Sequence, residues 1–393
     1  MGTDITETTA PPDQRMRRGD FLKRTGIAGA GVAAAGAGLG GATALAGGRK
    51  HGHGHGRKET TLRDRINKVA YIVVNVSDLD RAKSFWESAT GLRAVTRTPS
   101  PVQAFRGLGI AQGQFDGWLM EDASGRGTQV HLLQWLTPTP IGQAHPTFWN
   151  VGLAKIALTT PSTRTKLAQL ESLGIRPTND NIYRGYTSIT DPDGVVISIP
   201  GNPNTELPAG TDPRPSERLL HTNPSVKDIR RSMRFYGKIL GLDLDSESVP
   251  CEPILSSQGP GSDLSQWDSH LYTPRGDTRF RVDLSQFHYP PPTKESVIPY
   301  KEANHVGISR LAFEVDDIDA CYEILRRSRQ IGKGPGPIAR PEEWDFGAPM
   351  GKRRILTFRD PDGIRLELIQ KVYWTPVTAC TQPVNPPPIP VDW

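Results

Sequence analysis

The stretch Leu219–Leu242, LLHTNPSVKDIRRSMRFYGKILGL, sets an imidazole, His221, near the end of a short apolar run, ahead of an amphipathic segment that stops at Gly241. A histidine on a strand does metal or acid–base chemistry only where other polar side chains converge on it; otherwise it is an ordinary strand residue. Other chemistry-bearing types narrow the field. Cys251, Cys321 and Cys380 are far apart and show no C-x-x-C spacing. That argues against a zinc knuckle, a redox pair or a complete disulfide framework, and for buried, inert thiols. The tract His51–Gly56, HGHGHG, is either a loose metal site or a solvated spacer. Nothing there enforces a geometry, so the spacer is favoured. No P-loop, G-x-G-x-x-G or G-x-S-x-G stands in a strand–helix context, which disfavours nucleotide chemistry and serine hydrolysis.

The elements that would position His221 emerge from an internal repeat. NVSDLDRAKSFWESATGL (Asn75 to Leu92) and SVKDIRRSMRFYGKILGL (Ser225 to Leu242) match at one offset. Asp78 pairs with Asp228, Phe85-Trp86 with Phe235-Tyr236, and Gly91-Leu92 with Gly241-Leu242. Each Asp sits where an N-cap belongs and each Gly where a helix ends. Leu79, Ala82, Trp86 and Ala89, and likewise Ile229, Met233, Tyr236 and Leu240, mark helical apolar faces. A second matched pair, YTSITDPDGVVISIPG (Tyr186 to Gly201) and ILTFRDPDGIRLELIQ (Ile355 to Gln370), predicts two hairpins on Asp-Pro-Asp-Gly turns. The chain thus divides into four units of strand, helix and further strands.

Bulk properties set the context. At 393 residues there is room for two or three domains, and 35 Pro with 40 Gly suit short strands and turns. The net charge of +5 resides in residues 1–58, which hold nine Lys/Arg and four Asp/Glu, leaving 38 of each sign in the body. A neutral body without a basic aromatic-interleaved helix argues against nucleic acid as a partner. Residues 1–46 read as an export signal: a basic segment, a Gly/Ala-rich run and the ending Ala44-Leu45-Ala46. Arg17-Arg18 followed by Phe21-Leu22-Lys23 resembles a twin-arginine signal, which implies export through that machinery as a folded protein, outside the cytoplasm. The run is too Gly-rich for a stable membrane span, although an uncleaved signal would act as an anchor.

The repeats over residues 66–372 resemble the vicinal oxygen chelate superfamily, which includes glyoxalase I, extradiol dioxygenases, methylmalonyl-CoA epimerase and the fosfomycin- and bleomycin-resistance proteins. The entry H-T-x-x-x-V-x-D-I at His221–Ile229 and the exit DPDG…LELI at Asp360–Ile369 carry the likeness. It implies an α+β fold of two tandem glyoxalase-like domains, each of paired βαβββ units forming a curled mixed sheet with helices outside. The expected organisation is signal peptide 1–46, His/Gly-rich linker 47–61, first domain 62–205, linker 206–217, second domain 218–373 with the site, and a Pro-rich tail 374–393. In this family, side chains from the first and last strands of the units bind a metal, which the substrate chelates through two neighbouring oxygens.

Carried over, the family's four positions fall on His221, Asp283, Arg310 and Glu367 in the second repeat, and on Tyr71, His131, Lys155 and Ser198 in the first. Leu311, Phe313 and Val315 form an apolar face, so Arg310 points the other way; Leu366 and Leu368 do the same for Glu367. Arg310 departs from the pattern, since a guanidinium has no lone pair to give and repels a divalent cation. The resemblance leaves His221, Asp283 and Glu367 as ligands for Fe, Mn, Zn or Mg, with Arg310 and Glu367 as the catalytic pair. Alternatively, Arg310 pairs with Glu367 or Asp283 and no metal binds. His305, five residues before Arg310, is not expected to supply the missing ligand.

Three functions follow: a metal-dependent dioxygenase, lyase or isomerase acting on a small oxygen-rich or aromatic molecule, a metal-free lyase using Arg310, and a small-molecule sequestration protein of bleomycin-resistance type. For the last, Trp118, Trp135, Trp267 and Trp344 are the candidate cleft lining. The insertion Gln330–Arg354 reads as a lid.

Overall fold

The computed structural model describes residues 61–372, apart from 126, 146, 161, 179–185, 201–217, 249–253, 256–263, 278, 290–298 and 331–335. The signal segment, the His51–Gly56 tract, the linker 206–217, the tail 374–393, Cys251 and Cys380 lie outside the described residues. Cys321 is buried and forms no disulfide, as expected of an inert thiol.

Four units follow one another. The first is β1 (Ile66–Asn75), α1 (Leu79–Thr90), β2 (Arg93–Arg97), β3 (Gln103–Phe105), β4 (Ile110–Glu121) and β5 (Gln129–Thr137). The second is β6 (Gly152–Thr159), α2 (Thr163–Ser172), β7 (Tyr186–Thr190) and β8 (Val196–Pro200). The third is β9 (Arg218–Ser225), α3 (Ile229–Met233), β10 (Asp243–Ser248), β11 (Ile254–Leu255), β12 (Leu264–Thr273) and β13 (Arg281–Tyr289). The fourth is β14 (Gly307–Val315), α4 (Ile318–Gln330), β15 (Glu342–Asp345), β16 (Lys352–Arg359) and β17 (Arg365–Gln370).

The capping signals hold. Asp78 accepts the Arg81 N–H at 2.9 Å and Asp228 the Arg231 N–H at 3.0 Å. Gly91 ends α1 at φ 71°. Past Met233 the third unit's helix widens into a π-helix over Arg234–Ile239, which buries both Phe235 and Tyr236. Gly241 then turns at φ 74°, where a Cβ would meet the Arg63 backbone at 2.3 Å.

These strands form two mixed sheets, the α+β glyoxalase-like architecture expected. Their composition corrects the expected pairing. The first sheet runs β15-β16-β17-β14-β1-β5-β4-β2 and the second β10-β12-β13-β9-β6-β8-β7. Unit 1 therefore pairs with unit 4, and unit 2 with unit 3, so neither sheet corresponds to 62–205 or 218–373. The opening strands join antiparallel at the centre of each sheet, β1 with β14 and β6 with β9. An opening strand offers the same backbone edge in every unit, so repeat similarity alone does not specify the partner.

What binds the sequence repeats as such is the contact between the two motif pairs. In the first repeat Asp193 accepts from the Ser77 N–H at 2.9 Å and from Arg81 at 3.1 Å, while Trp86 Nε1 donates to Asp191 at 3.2 Å. In the second, Asp362 accepts from the Lys227 N–H at 3.2 Å and pairs with Arg231, while the Tyr236 hydroxyl donates to Asp360 at 3.2 Å. Each DPDG turn thus anchors the neighbouring unit's helix through equivalent residues. Burial pushes the Asp191 carboxyl up to about 6; burial, reinforced by Asp362, pushes that of Asp360 up to about 7.

Strand alternation sends one residue set to the helices. Ile72, Val74, Leu311, Phe313, Leu366 and Leu368 share a core with Trp86, Ile318 and Leu325. The alternate set enters the concave face of each sheet, and there the two sheets diverge.

Candidate functional site

The hollow of the first sheet collects Tyr71 from β1, His131 from β5, Arg310 from β14 and Glu367 from β17. As the alternation predicts, Arg310 and Glu367 turn away from the leucines, and both are buried, at 2 % and 0 % exposure. Arg310 Nε lies 2.6 Å from Glu367 Oε1, and the Tyr71 hydroxyl donates to Oε2 at 3.3 Å. Burial pushes the Glu367 carboxyl up while Arg310 opposes that shift, and burial pushes the Tyr71 phenol up as well. His131 Nε2 is 2.9 Å from Thr98 Oγ1; burial, with Arg310 nearby, drives its pKa down to about 3, so the ring is neutral.

Aromatic packing closes this hollow. Phe105 meets Trp135 at 5.2 Å and Trp344 at 5.1 Å between ring centroids, and Phe346 meets Phe115 at 5.7 Å and His131 at 6.0 Å. Trp344 and Phe346 come from the insertion expected to be a lid. Its described part instead adds β15 to the sheet edge and plugs the hollow. At one end a depression of about 300 Å³ remains, bounded by Tyr71, Leu119, Met350 and Arg353.

The second sheet's hollow collects Lys155 from β6, Ser198 from β8, His221 from β9 and Asp283 from β13. Its lining is polar. Asn223 donates to Asp283 Oδ2 at 2.6 Å and to Ser285 at 3.1 Å, and Ser269 donates to Asp283 Oδ1 at 2.5 Å. His221 is 7 % exposed, with Nε2 3.9 Å from Asp283 Oδ2. Among the described residues neither ring nitrogen has a partner in hydrogen-bond geometry, nor do Ser188 Oγ and Asn223 Oδ1, although the Asn223 side chain stands close enough to favour the protonated ring. Burial drives the His221 pKa down to about 4, with Asp283 opposing that shift and Lys155 adding to it. Lys155, 4 % exposed, holds its Nζ 4.8 Å from the Phe148 ring centre; burial draws its ammonium down to about 8, against the pull of Asp283. Half-buried aromatic rings stand at one end of this lining, with Trp267 and Phe287 stacked at 6.1 Å and Trp149 at 6.5 Å from Phe287.

The single centre of His221, Asp283 and Glu367 is therefore not formed. His221 and Asp283 meet in the second sheet, and Glu367 belongs to the first with its partner Arg310. Arg310 pairs with Glu367, as one of the expected alternatives had it. His305 enters neither hollow; it stacks on Tyr300 at 4.2 Å, and its Nδ1 is 2.8 Å from the Val306 carbonyl. Of the four tryptophans expected to line a cleft, Trp135 and Trp344 fill the first hollow and Trp118 lies beside Lys83 and Arg97. Only Trp267 edges the second. Sequence reading named Lys155 but in the other repeat from His221, and it missed Asn223 and Ser269 as partners of Asp283; alternation with Val282 and Leu284 marks the side of the sheet that Asp283 faces.

Each hollow carries one imidazole, one carboxylate, one cation and one hydroxyl where the family pattern has four ligands. Among the described residues no group of three or more His, Cys, Asp or Glu gathers. In the first hollow the guanidinium occupies the carboxylate; in the second, Ser269 and Asn223 hold both carboxylate oxygens beside a buried ammonium. A divalent ion needs several lone-pair donors and no competing cation, so these residues do not fit one.

Comparison with known proteins agrees with the architecture. The lactoylglutathione lyase of Escherichia coli O157:H7 is 26 % identical over 163 residues, which is 39 % of this chain and 93 % of that protein. The Salmonella typhimurium lyase is 27 % identical over 164 residues, again 39 % of this chain and 92 % of that protein. Glyoxalase I from Zea mays shares the fold, with a TM-score of 0.52 at 16 % identity over 77 % of this chain and 92 % of that one. The family pattern matches residues 68–199 and again 218–368, so the chain belongs to the Glyoxalase/Bleomycin resistance protein/Dioxygenase superfamily.

Proposed function

We propose that this chain is a metal-independent enzyme of lyase or isomerase type, working in the second hollow on a small, planar, oxygen-rich molecule. The observation that carries the reading is His221: a buried imidazole whose nitrogens have no partner in hydrogen-bond geometry among the described residues, beside a fixed carboxylate and in the same hollow as a buried ammonium. Unmet hydrogen-bonding capacity at a buried site calls for a polar occupant. In this reading a substrate oxygen sits toward Lys155, whose positive charge stabilises the anion that develops when a neighbouring C–H is deprotonated. His221 is the proton acceptor. Asp283 orients the ring and raises its basicity once their 3.9 Å gap tightens in the complex. Arg310 and Glu367, expected as the catalytic pair, take no part in this reading, because their charges neutralise each other at 2.6 Å inside packed aromatics.

The aromatic edge at Trp267 favours a second reading, in which the hollow holds an aromatic compound without turnover. A panel of aromatic and aliphatic hydroxy and oxo acids, screened by tryptophan quenching and by turnover, separates the two. His221→Asn should keep quenching and lose turnover; quenching without turnover in the wild type leaves sequestration, and no response from the second hollow sinks both. Activity should survive chelation, in protein whose His51, His53 and His55 are changed to Ser. We propose also that residues 1–46 direct export. Arg17→Lys with Arg18→Lys should leave the protein in the cytoplasm, and unchanged secretion would refute this.

A further inference from the structure

Lys155 is set in the concave face of the central strand β6 with its Nζ over a phenyl ring, whereas Lys166, also buried, lies on the helix α2. Resting on the reading of the second hollow given above, with the imine cation taking over the charge role there given to the Lys155 ammonium, we infer that Lys155 is a covalent catalytic residue that holds an aldehyde or ketone substrate as a protonated imine.

Three observations support this. The amine is buried between β8 and β9 with its Nζ 4.8 Å from the Phe148 ring centre, an environment that disfavours the ammonium. Its charge is felt by His221 and by Asp283, so proton carriers stand within electrostatic reach. Ser188 Oγ, on the strand beside Ser198, has no hydrogen-bond partner among the described residues and faces a carbinolamine hydroxyl in this proposal. With its ammonium at about 8, roughly a tenth of Lys155 is neutral at pH 7, against about one part in three thousand for an ordinary lysine.

The step balances without oxidant or reductant. The amine lone pair attacks the carbonyl carbon and a C–N bond forms. The resulting hydroxyl takes a proton and leaves as water, and the ammonium plus carbonyl have become a protonated imine plus water. That cationic nitrogen then draws electrons from the adjacent C–H bond, whose proton passes to His221.

The test is reductive trapping on the full chain at pH 7, with benzaldehyde and glyoxylate as probes and sodium cyanoborohydride as reductant, followed by peptide mass mapping. The expected result is one adduct per chain at Lys155, formed at least tenfold faster than at Lys68 or Lys83 and faster with the aromatic probe. Lys155→Met, checked for folding by circular dichroism, should lose it. Adducts spread over the exposed lysines, with Lys155 no faster, would overturn the imine. If the acid panel still shows His221-dependent turnover in that case, the reading of the hollow stands without it. If neither signal appears, both fall.

Discussion

The ion pair in the first hollow makes a sharp energetic prediction. Arg310→Met removes the guanidinium 2.6 Å from Glu367 and strands a carboxylate that is fully buried. Among the described residues, the Tyr71 hydroxyl at 3.3 Å is the hydrogen-bond donor left to it. Breaking one member of a buried pair costs about 3–5 kcal/mol, because the survivor loses its compensation. Glu367→Met should cost about as much for the mirror reason. The double replacement leaves no buried charge and forfeits mainly the Tyr71 hydrogen bond, about 1 kcal/mol. A double-mutant cycle should therefore show coupling of at least about 3 kcal/mol. Urea unfolding measures it, read by tryptophan emission, since Trp135 and Trp344 lie in this hollow, and by backbone circular dichroism to verify that the transitions coincide. Additive losses, or an Arg310→Met midpoint equal to wild type, would show that the pair is solvated and that the hollow is open. Turnover lost in a fully stable Arg310→Met protein would return the chemistry to this sheet.

Other consequences are equally checkable. The Asp360 carboxyl titrates at about 7 when folded and near 3.8 when exposed, so the folded state holds its proton while the unfolded chain has lost it. Its contribution is complete below about pH 4 and falls as pH rises to about 7, by a few kcal/mol. Asp360→Asn should flatten that slope and match or exceed wild-type stability at pH 8; a parallel pH–stability curve would refute the assignment. Gly241→Ala forces φ 74° on a side chain and drives its Cβ into the Arg63 backbone, so a loss of more than about 2 kcal/mol is expected in the same urea assay. His221→Phe removes an imidazole whose nitrogens are unpaired and should leave the urea midpoint unchanged or raised, by about 1 kcal/mol; a large loss would mean that the ring is structural.

Much of this molecule was legible residue by residue. Asp78 and Asp228 as caps, Gly241 as a stop and the DPDG turns depend on backbone conformation within a few residues, which composition dictates directly. The inward aim of Arg310 and Glu367 follows from a period of two, with Leu311 and Leu366 committed to the helices. Even the docking of each DPDG turn on its helix was implicit, since Trp86 with Asp191 and Tyr236 with Asp360 belong to motifs that recur together.

The content of the hollows was decided only by long-range pairing. The β1 edge accepts β14 rather than β6, and that choice moves Glu367 away from His221 and brings it to Tyr71. Nothing local distinguishes the two arrangements, because every opening strand presents the same row of amides and carbonyls. Closure of the first hollow was equally nonlocal: Trp344 and Phe346 reach Phe105 and Phe115 across more than two hundred residues. Short-range chemistry is written in neighbouring side chains. The company His221 keeps is set by which strands share hydrogen bonds, and that becomes definite only when the whole chain has folded.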